Sequence, residues 1–393
     1  MLISRPLPLV STSRVKILCV IDTLVKGGGA ERLLVDLLPA MRQRGMDIAV
    51  AVLFRQPGDH SDELECAGIP VHQLALSGPY AVPEAMRKLR ALTRDFGYDL
   101  FWGHLYYGNF YAWLASRVSG RAKVVTTIHS EGYLRTPPTR LRQKLAVALE
   151  RVVLTSADLC VAVSRAVRHD YETYFGLSGI KIAYNGIDCE ALGRVLPVDR
   201  AAVRAEFGFA PADFLIVTPA SLKEKKGHAV LIDAVVHLRD TWGVSVKALL
   251  CGDGPLKAEL AGDIARRGLG DQVVLSPVIP HAKLMPLVAA AEAVVMPSLR
   301  EPFGIAAAEA MALGVPCVLT DVDGFREITA GVDGALLVPP GDSAALARAV
   351  DRLRREPGEA AERAARARAD VCATFDIGQC ADRWIQLLRQ AAA

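Results

Sequence analysis

Two doubly wound α/β domains facing one another are the fold this sequence predicts. Three observations point to it: short β-branched runs alternate with helix-like segments, the alternation occurs twice, and the centres of the runs are continuously apolar rather than alternating. A strand that is apolar on both sides belongs in the middle of a parallel sheet covered by helices on both faces. In the first half the runs are VKILCVI (15–21), DIAVAVLF (47–54), YDLFWGH (98–104), AKVVTTIH (122–129), DLCVAVS (158–164) and IKIAYNG (180–186). After the first of them, AERLLVDLLPAMRQRG (30–45) spaces its apolar residues as a helix does. In the second half DFLIVTPA (213–220), VSVKALLCG (244–252), DQVVLSP (271–277), AEAVVMPS (291–298), VPCVLTD (315–321) and GALLVPP (334–340) repeat the rhythm.

Between the halves, LGRVLPVDRAAVRAEFGFAPAD (192–213) loses that rhythm and carries Pro197 and Pro211, so the inter-domain linker is expected there. The expected division is a first domain over 1–190, a second over 191–370, and a C-terminal piece over 371–393 that packs back toward the first domain. In that last piece, residues 373–390 read as an amphipathic helix with Trp384, Leu387 and Leu388 on one face. The Ala-, Arg- and Glu-rich stretch 356–370 reads as a solvated surface helix. Ligands of such sheets bind at the carboxyl ends of the strands, which makes the cleft between the domains the expected site.

The 393 residues are 51% hydrophobic and 23% charged with a formal net charge of +3, a globular composition without the basic excess of a nucleic-acid binder. Residues 1–190 hold 23 Lys and Arg against 18 Asp and Glu, whereas residues 191–393 hold 23 against 25. A mildly basic first half suits an anionic partner or membrane surface. The eight cysteines include no C-x-x-C pair and fall mostly in apolar runs, so reduced, buried thiols are expected rather than disulfides or a zinc site. Arg14 and Lys16 precede a short apolar run that Asp22 interrupts, unlike a signal peptide, and no uncharged run is long enough to span a bilayer. The expectation is a cytoplasmic protein that can touch the inner face of the membrane.

The chemistry concentrates in MPSLREPFGIAAAEAMALGVP (296–316), where Glu301 and Glu309 stand in otherwise small and apolar surroundings. Carboxylates are rarely placed in such a setting without a partner. A strand ends at Pro297, a turn follows, and a helix closed by Gly314 carries Glu309 about two turns in. Backbone amides at Phe303, Gly304 and Ile305 would open that helix, a natural phosphate site. Carboxylates beside a phosphate site suit a ligand that is both phosphorylated and a sugar. Taken alone, either glutamate could equally be a solvent-facing acid.

Two further strand-to-helix turns fit the same ligand. DTLVKGGGAERLL (22–34) lets backbone approach closely, although Arg32 stands where a dinucleotide fingerprint needs its third glycine. ASLKEKKGHAVLIDAV (220–235) clusters Lys223, Lys225 and Lys226 where a second domain could reach a diphosphate. Viewed singly, the first is also a plain flexible turn and the second an exposed charged loop. His104 and His129 end two first-domain strands, and CGDGP (251–255) is a glycine turn at another strand's end. Asp321-Val322-Asp323 has the D-x-D form of a metal-binding triplet, but its place after VPCVLT favours a turn and cap.

Together these residues resemble the metal-independent retaining glycosyltransferases of the GT-B fold, the large family-four group. The resemblance is carried by GGGAERLL, AYNGID (183–188), KKGH (225–228), CGDGP and REPFGIAAAEAMALGVP, followed in order by DGFREIT and DGALLVPPGD. It implies a nucleotide diphosphate sugar as donor, transfer with retention, and no metal or other cofactor. It further implies that Gly28 and Gly29 approach the donor diphosphate, that Lys226 neutralises it, and that Glu301 hydrogen-bonds the donor sugar. The amides of Phe303, Gly304 and Ile305 would lie near sugar and phosphate, Glu309 on the ribose, and His129 beside the transferred sugar. Ser221 occupies the donor-side position where relatives commonly have an arginine, and an ammonium from Lys223 or Lys225 does not reproduce that bidentate fork. The glycan or lipid-linked acceptor is expected in the first domain near Glu31, His104 and Tyr106. The following segment, 131–154, mixes Arg135, Arg140, Arg142, Lys144 and Arg151 with apolar residues and could lie on an anionic membrane or form a core helix with a basic outer face. A non-catalytic sugar-nucleotide-binding partner of the same fold is the alternative, resting on Ser221 alone.

Overall fold

The computed structural model describes residues 15–393 apart from 121, 135, 136 and 332. Arg14 and Arg135 therefore lie outside the described residues. Seven strands, β1 (Lys16–Ile21), β2 (Asp47–Val52), β3 (Val71–Gln73), β4 (Leu100–His104), β5 (Lys123–Ile128), β6 (Leu159–Ala162) and β7 (Lys181–Ile182), form one sheet in the order β3-β2-β1-β4-β5-β6-β7. Six more, β8 (Leu215–Pro219), β9 (Lys247–Cys251), β10 (Val273–Ser276), β11 (Ala293–Met296), β12 (Cys317–Thr320) and β13 (Leu336–Val338), form a second in the order β10-β9-β8-β11-β12-β13. Neighbours in both sheets are parallel, for example Ile21 opposite His104 and Val294 opposite Cys317. Each order reverses once, between β1 and β4 and between β8 and β11. At those points successive crossover helices leave to opposite faces and open a crevice at the strands' carboxyl ends.

The unbroken apolar runs have a direct cause. Along β1, Ile17, Cys19 and Ile21 enter one hydrophobic cluster while Leu18 and Val20 enter another on the opposite face. In β8, Leu215 and Val217 face one cluster and Ile216 the other. Both sides of these two central strands are covered, so a polar residue within them would be costly.

The chain passes between the two bodies twice, and the passages are tied together. The Ile187 amide donates to the Phe375 carbonyl at 2.8 Å, and the Ile377 amide donates back to the Ile187 carbonyl at 2.9 Å. Beyond this point helix Ile377–Ala392 lies on helix Gly29–Gln43 of the first body. Its Trp384 is fully buried, 4.7 Å from the Trp102 ring, in the same cluster as Ile17 and Leu34.

Several expectations are revised. The stretch 192–213 is not all open chain: helices Cys189–Val195 and Arg200–Glu206 occupy half of it, and buried Arg204 donates to the Ala290 carbonyl at 2.7 Å. The C-terminal helical region breaks at Asp376, whose carboxylate accepts from the Gly378 amide at 2.8 Å, so residues 373–375 belong to the preceding helix. That preceding helix, Pro357–Phe375, is not a solvated one: Ala360, Ala364, Ala367 and Val371 are buried, their small side chains allowing close approach. It packs on helix Ile305–Ala312. Cys189 and Cys372 form a disulfide, against the expectation of reduced thiols, while the other six cysteines are free. They lie 183 residues apart and meet because their helices, Cys189–Val195 and Pro357–Phe375, both pack on helix Ile305–Ala312 of the second body. Among the described residues no helix is long and apolar enough to cross a membrane.

Trp384→Ala removes a fully enclosed indole from the first body's core, so it should lower stability by about 3–5 kcal/mol. Urea unfolding followed by circular dichroism measures this, and a loss under about 1 kcal/mol would mean that the C-terminal helix is not part of that core.

Candidate active site

In the second body the loop after β8 lies directly on the loop after β11. Gly227 makes this contact possible: it sits at φ +67°, and a Cβ there would collide with the Pro297 carbonyl oxygen. The Leu299 amide donates to the Lys225 carbonyl at 2.8 Å across the same junction. These contacts deliver Lys226 to Glu301, with Nζ 2.6 Å from Oε2 and side-chain exposures of 16% and 6%. The Ser298 hydroxyl donates to the same carboxylate oxygen at 3.2 Å.

Gly304 then turns the chain at φ +101°, where a Cβ would stand 2.6 Å from the Phe325 ring, and helix Ile305–Ala312 begins. The first backbone amides of a helix have no partner within it and face outward as donors. Phe303 offers only its backbone here, because its ring is buried 5.4 Å from that of Phe375. Glu309 lies one turn into the helix, not two, since the helix starts only at Ile305. Its Oε1 is 2.8 Å from His281 Nε2, which leaves the second oxygen free to accept.

The first body's glycine loop meets this surface. Its Gly29 faces Ile305 and its Gly27 faces Val278, so the cleft is narrow at that point. Glu31 is buried behind Gly28, with the Thr23 hydroxyl 3.5 Å away; burial raises its pKa and the nearby Lys223 charge opposes the rise. His129 follows β5, and its Nε2 is 2.9 Å from Nδ1 of His104. His104 is fully buried between the Trp102 and Trp384 rings, so it stands behind His129 rather than in the cleft. Tyr106 donates its hydroxyl to the Ala146 carbonyl at 3.0 Å, bracing helix Leu141–Ser156. Of the expected acceptor residues, only Glu31 therefore keeps its polar group near the glycine loop.

Three lysines divide over three carboxylates. Lys226 pairs with Glu301; Lys225 lies near enough to Glu131 of the first body for each charge to shift the other, and Lys223 acts in the same way on Glu31. Arg300 also approaches Glu131, at 3.9 Å. Ser221 contributes its backbone, its carbonyl lying 3.1 Å from His228 Nε2. A cavity of about 620 Å³ continues from Glu301 between the bodies, bordered by Glu131, Arg165, Arg300 and Glu327.

Residue-pattern reasoning missed Glu131, His281, Arg300 and Asp22. Only Asp22 carried a signal, as the charge that ends an apolar strand. Its carboxylate accepts from the Gly108 amide at 2.6 Å, at the start of helix Leu105–Ser119. Asp321 is taken up by Arg326, at 2.8 Å to Nη2. Among the described residues no group of three or more His, Cys, Asp or Glu is arranged to hold a metal.

Burial pushes Asp22 up to about 7. Its folded-state pKa thus exceeds its unfolded value, so the stability linked to it is present at acid pH and is lost as pH rises through about 7. Asp22→Asn keeps an acceptor for Gly108 without the charge. The variant should gain on the wild type in melting temperature as pH is raised from about 4 to about 8, and a pH-independent difference would refute the buried, raised carboxyl.

The arrangement has parallels in known proteins. The profile described as glycosyl transferases group 1 matches residues 199–370, and that described as glycosyltransferase family 4 matches residues 27–191. The chain is 28% identical over 366 residues to a D-inositol 3-phosphate glycosyltransferase of Streptomyces bingchenggensis, covering 84% of this chain and 78% of the relative. It is 26% identical over 281 residues to the putative glycosyltransferase EpsD of Bacillus subtilis, covering 69% and 71%. Among solved structures it superposes on Anabaena Alr3699/HepE in complex with UDP and glucose with a TM-score of 0.80 at 26% identity, covering 96% of this chain and all of that one. Two parallel sheets, a lysine–glutamate pair at their carboxyl ends and both halves of the family pattern lead to one conclusion: the chain belongs to the group 1 glycosyltransferases of the GT-B fold.

Proposed function

We propose that this glycosyltransferase is a retaining, metal-independent enzyme that moves a sugar from a UDP- or GDP-linked donor to a hydroxyl of a glycan or lipid-linked acceptor, in the building of cell-surface polysaccharide or lipopolysaccharide. The observation that carries this reading is the Lys226–Glu301 pair at 2.6 Å, which stands just before the starts of helices His228–Trp242 and Ile305–Ala312. A UDP- and glucose-bound structural relative supports uridine as the nucleotide.

The chemistry follows from the groups in place. An ammonium has three donors, so Lys226 can hold Glu301 and a phosphate oxygen together, and the helix starts add partial positive charge. Glu301 accepts from donor-sugar hydroxyls and the free oxygen of Glu309 from the ribose. As the bond to the diphosphate breaks, charge grows on the departing oxygen, and these prearranged donors stabilise it where charge develops. The acceptor hydroxyl attacks from the face the diphosphate leaves, and its proton departs with the diphosphate, so configuration is kept. No step needs a metal, because Lys226 supplies the neutralising charge.

Lys226→Ala should lower turnover roughly 10²- to 10³-fold with an unchanged fold. Nucleotide diphosphate release from a panel of UDP-, GDP- and ADP-sugars, with EDTA present, measures it. Near-normal release by the variant, or release by the wild type that EDTA abolishes, would remove the lysine or the metal-free part of the reading.

A lipid-linked acceptor fits the outer wall of the first body. Helix Leu141–Ser156 turns Leu141, Leu145 and Val152 to solvent, at 73%, 63% and 49% exposure, and carries Arg142, Lys144 and Arg151 beside them. An apolar stripe flanked by basic residues suits a peripheral seat on the anionic inner face of the cell membrane. The protein should sediment with vesicles containing anionic lipid at low salt. It should stay in solution when Arg140, Arg142 and Lys144 are neutralised; retention by that triple variant would assign the helix another role.

A further inference from the structure

His104 and His129 stand one behind the other at the carboxyl end of the first sheet, with His104 Nδ1 2.9 Å from His129 Nε2. Burial lowers the pKa of both rings, that of His129 to about 4, so at neutral pH both are uncharged and one proton lies between the facing nitrogens. Two arrangements are open. If His129 donates from Nε2, His104 must carry its own proton on its other nitrogen, Nε2. That atom is buried with no hydrogen-bond partner among the described residues. The neighbouring orphan is Nε1 of Trp384, also a buried donor, on a ring 6.5 Å from the His104 ring. The fold would then bury two N–H groups without acceptors.

The opposite arrangement removes the conflict. A proton on His104 Nδ1 is used on His129, His104 Nε2 is left as a bare lone pair rather than an unpaired N–H, and His129 carries its proton on Nδ1. Buried N–H groups without acceptors are rarer than under-used acceptors and cost their full desolvation. A ring's tautomer is set by the hydrogen bond its other nitrogen makes.

We infer that His104 is a positioning residue that fixes His129 in the Nδ1–H tautomer, so that His129 meets its ligand as a hydrogen-bond donor. Two consequences follow for the site. The ligand atom at His129 must be an acceptor, such as a sugar hydroxyl oxygen. The ring also has no lone pair at Nδ1 with which to take the acceptor's proton, so His129 orients the sugar and is not the base. The identity of that ligand rests on the proposed glycosyl transfer; the tautomer does not.

The test is the ring nitrogen spectrum of the full chain labelled with 15N-histidine, recorded without any nucleotide sugar, with His129 assigned by its loss in His129→Gln. Wild type should show His129 protonated on Nδ1 and bare on Nε2. His104→Asn, whose side-chain amide can donate from nearly the same place, should keep that pattern and a donor KM within about twofold of wild type. His104→Phe offers no donor and should give a tautomer mixture with donor KM raised about three- to tenfold and kcat changed less. A wild-type His129 protonated on Nε2 would overturn the inference, as would a His104→Phe protein with unaltered spectrum and KM; if that variant does not fold, the wild-type spectrum decides alone. Absence of sugar-nucleotide cleavage would count against the transfer reaction while leaving the spectrum to judge the tautomer.

Discussion

The site depends on how the chain passes between its two sheets. A parallel doubly wound sheet concentrates its useful loops at one edge, and a cleft enzyme needs two such edges held face to face. Here the hold is local: paired backbone bonds between Ile187 and residues 375 and 377, then the insertion of Trp384 into the first body's core. The C-terminal helix completes the hydrophobic cluster that contains β1 and β4, so the first body is not closed without the last sixteen residues of helix. One segment thus both completes the first body's core and ties the two bodies together. The Cys189–Cys372 bond lies at the same passage, joining the helix that leaves it to the one that returns.

With the edges aligned, electrostatics explains why the empty cleft tolerates its charge. Lys223, Lys225 and Lys226 each have a carboxylate within reach, two of them supplied by the opposite body. A cluster of unpaired ammonium groups between protein walls would be costly, and so would a cluster of unpaired carboxylates. The interleaving solves both problems. The Lys226–Glu301 pair and the Glu309–His281 contact, by contrast, each lie within the second body.

Much of this was legible in the residues. All six second-half runs coincide with strands, and six of the seven first-half strands were marked; β3, three residues long and not fully buried, was missed because it lacks an apolar run. Glycine turns and the Lys226, Glu301 and Glu309 positions were legible because strand ends and helix starts have strong local signatures. What failed was anything decided by distant contacts. Pairing of His104 with His129 behind the cleft, of Glu309 with His281 and of Cys189 with Cys372 links residues whose local sequence says nothing of one another. The helices within 192–213 went unmarked for a related reason: they are short, and Arg204 finds its partners at Ala290 and Glu292, far along the chain.

Glu327 shows how the two bodies read each other's backbone. It belongs to helix Asp323–Ile328 of the second body, yet its carboxylate accepts from the Arg165 amide at 2.8 Å and from that of Ala166 at 3.4 Å, the first residues of helix Arg165–Phe175 in the first. Ser164 caps the same helix from within by accepting from Val167 at 3.1 Å. One helix start is therefore satisfied partly by its own body and partly by the other, and a charged acceptor on backbone amides makes a comparatively strong bond, about 1.5–3 kcal/mol. Because the bond joins a fixed carboxylate to fixed amides, it constrains the angle between the bodies more tightly than apolar contact would. The same contact borders the cavity that begins at Glu301, so the width of that cavity and the pairing of Glu327 are set together. Any change in the relative position of the sheets must therefore alter the cap and the space beside Glu301 at once.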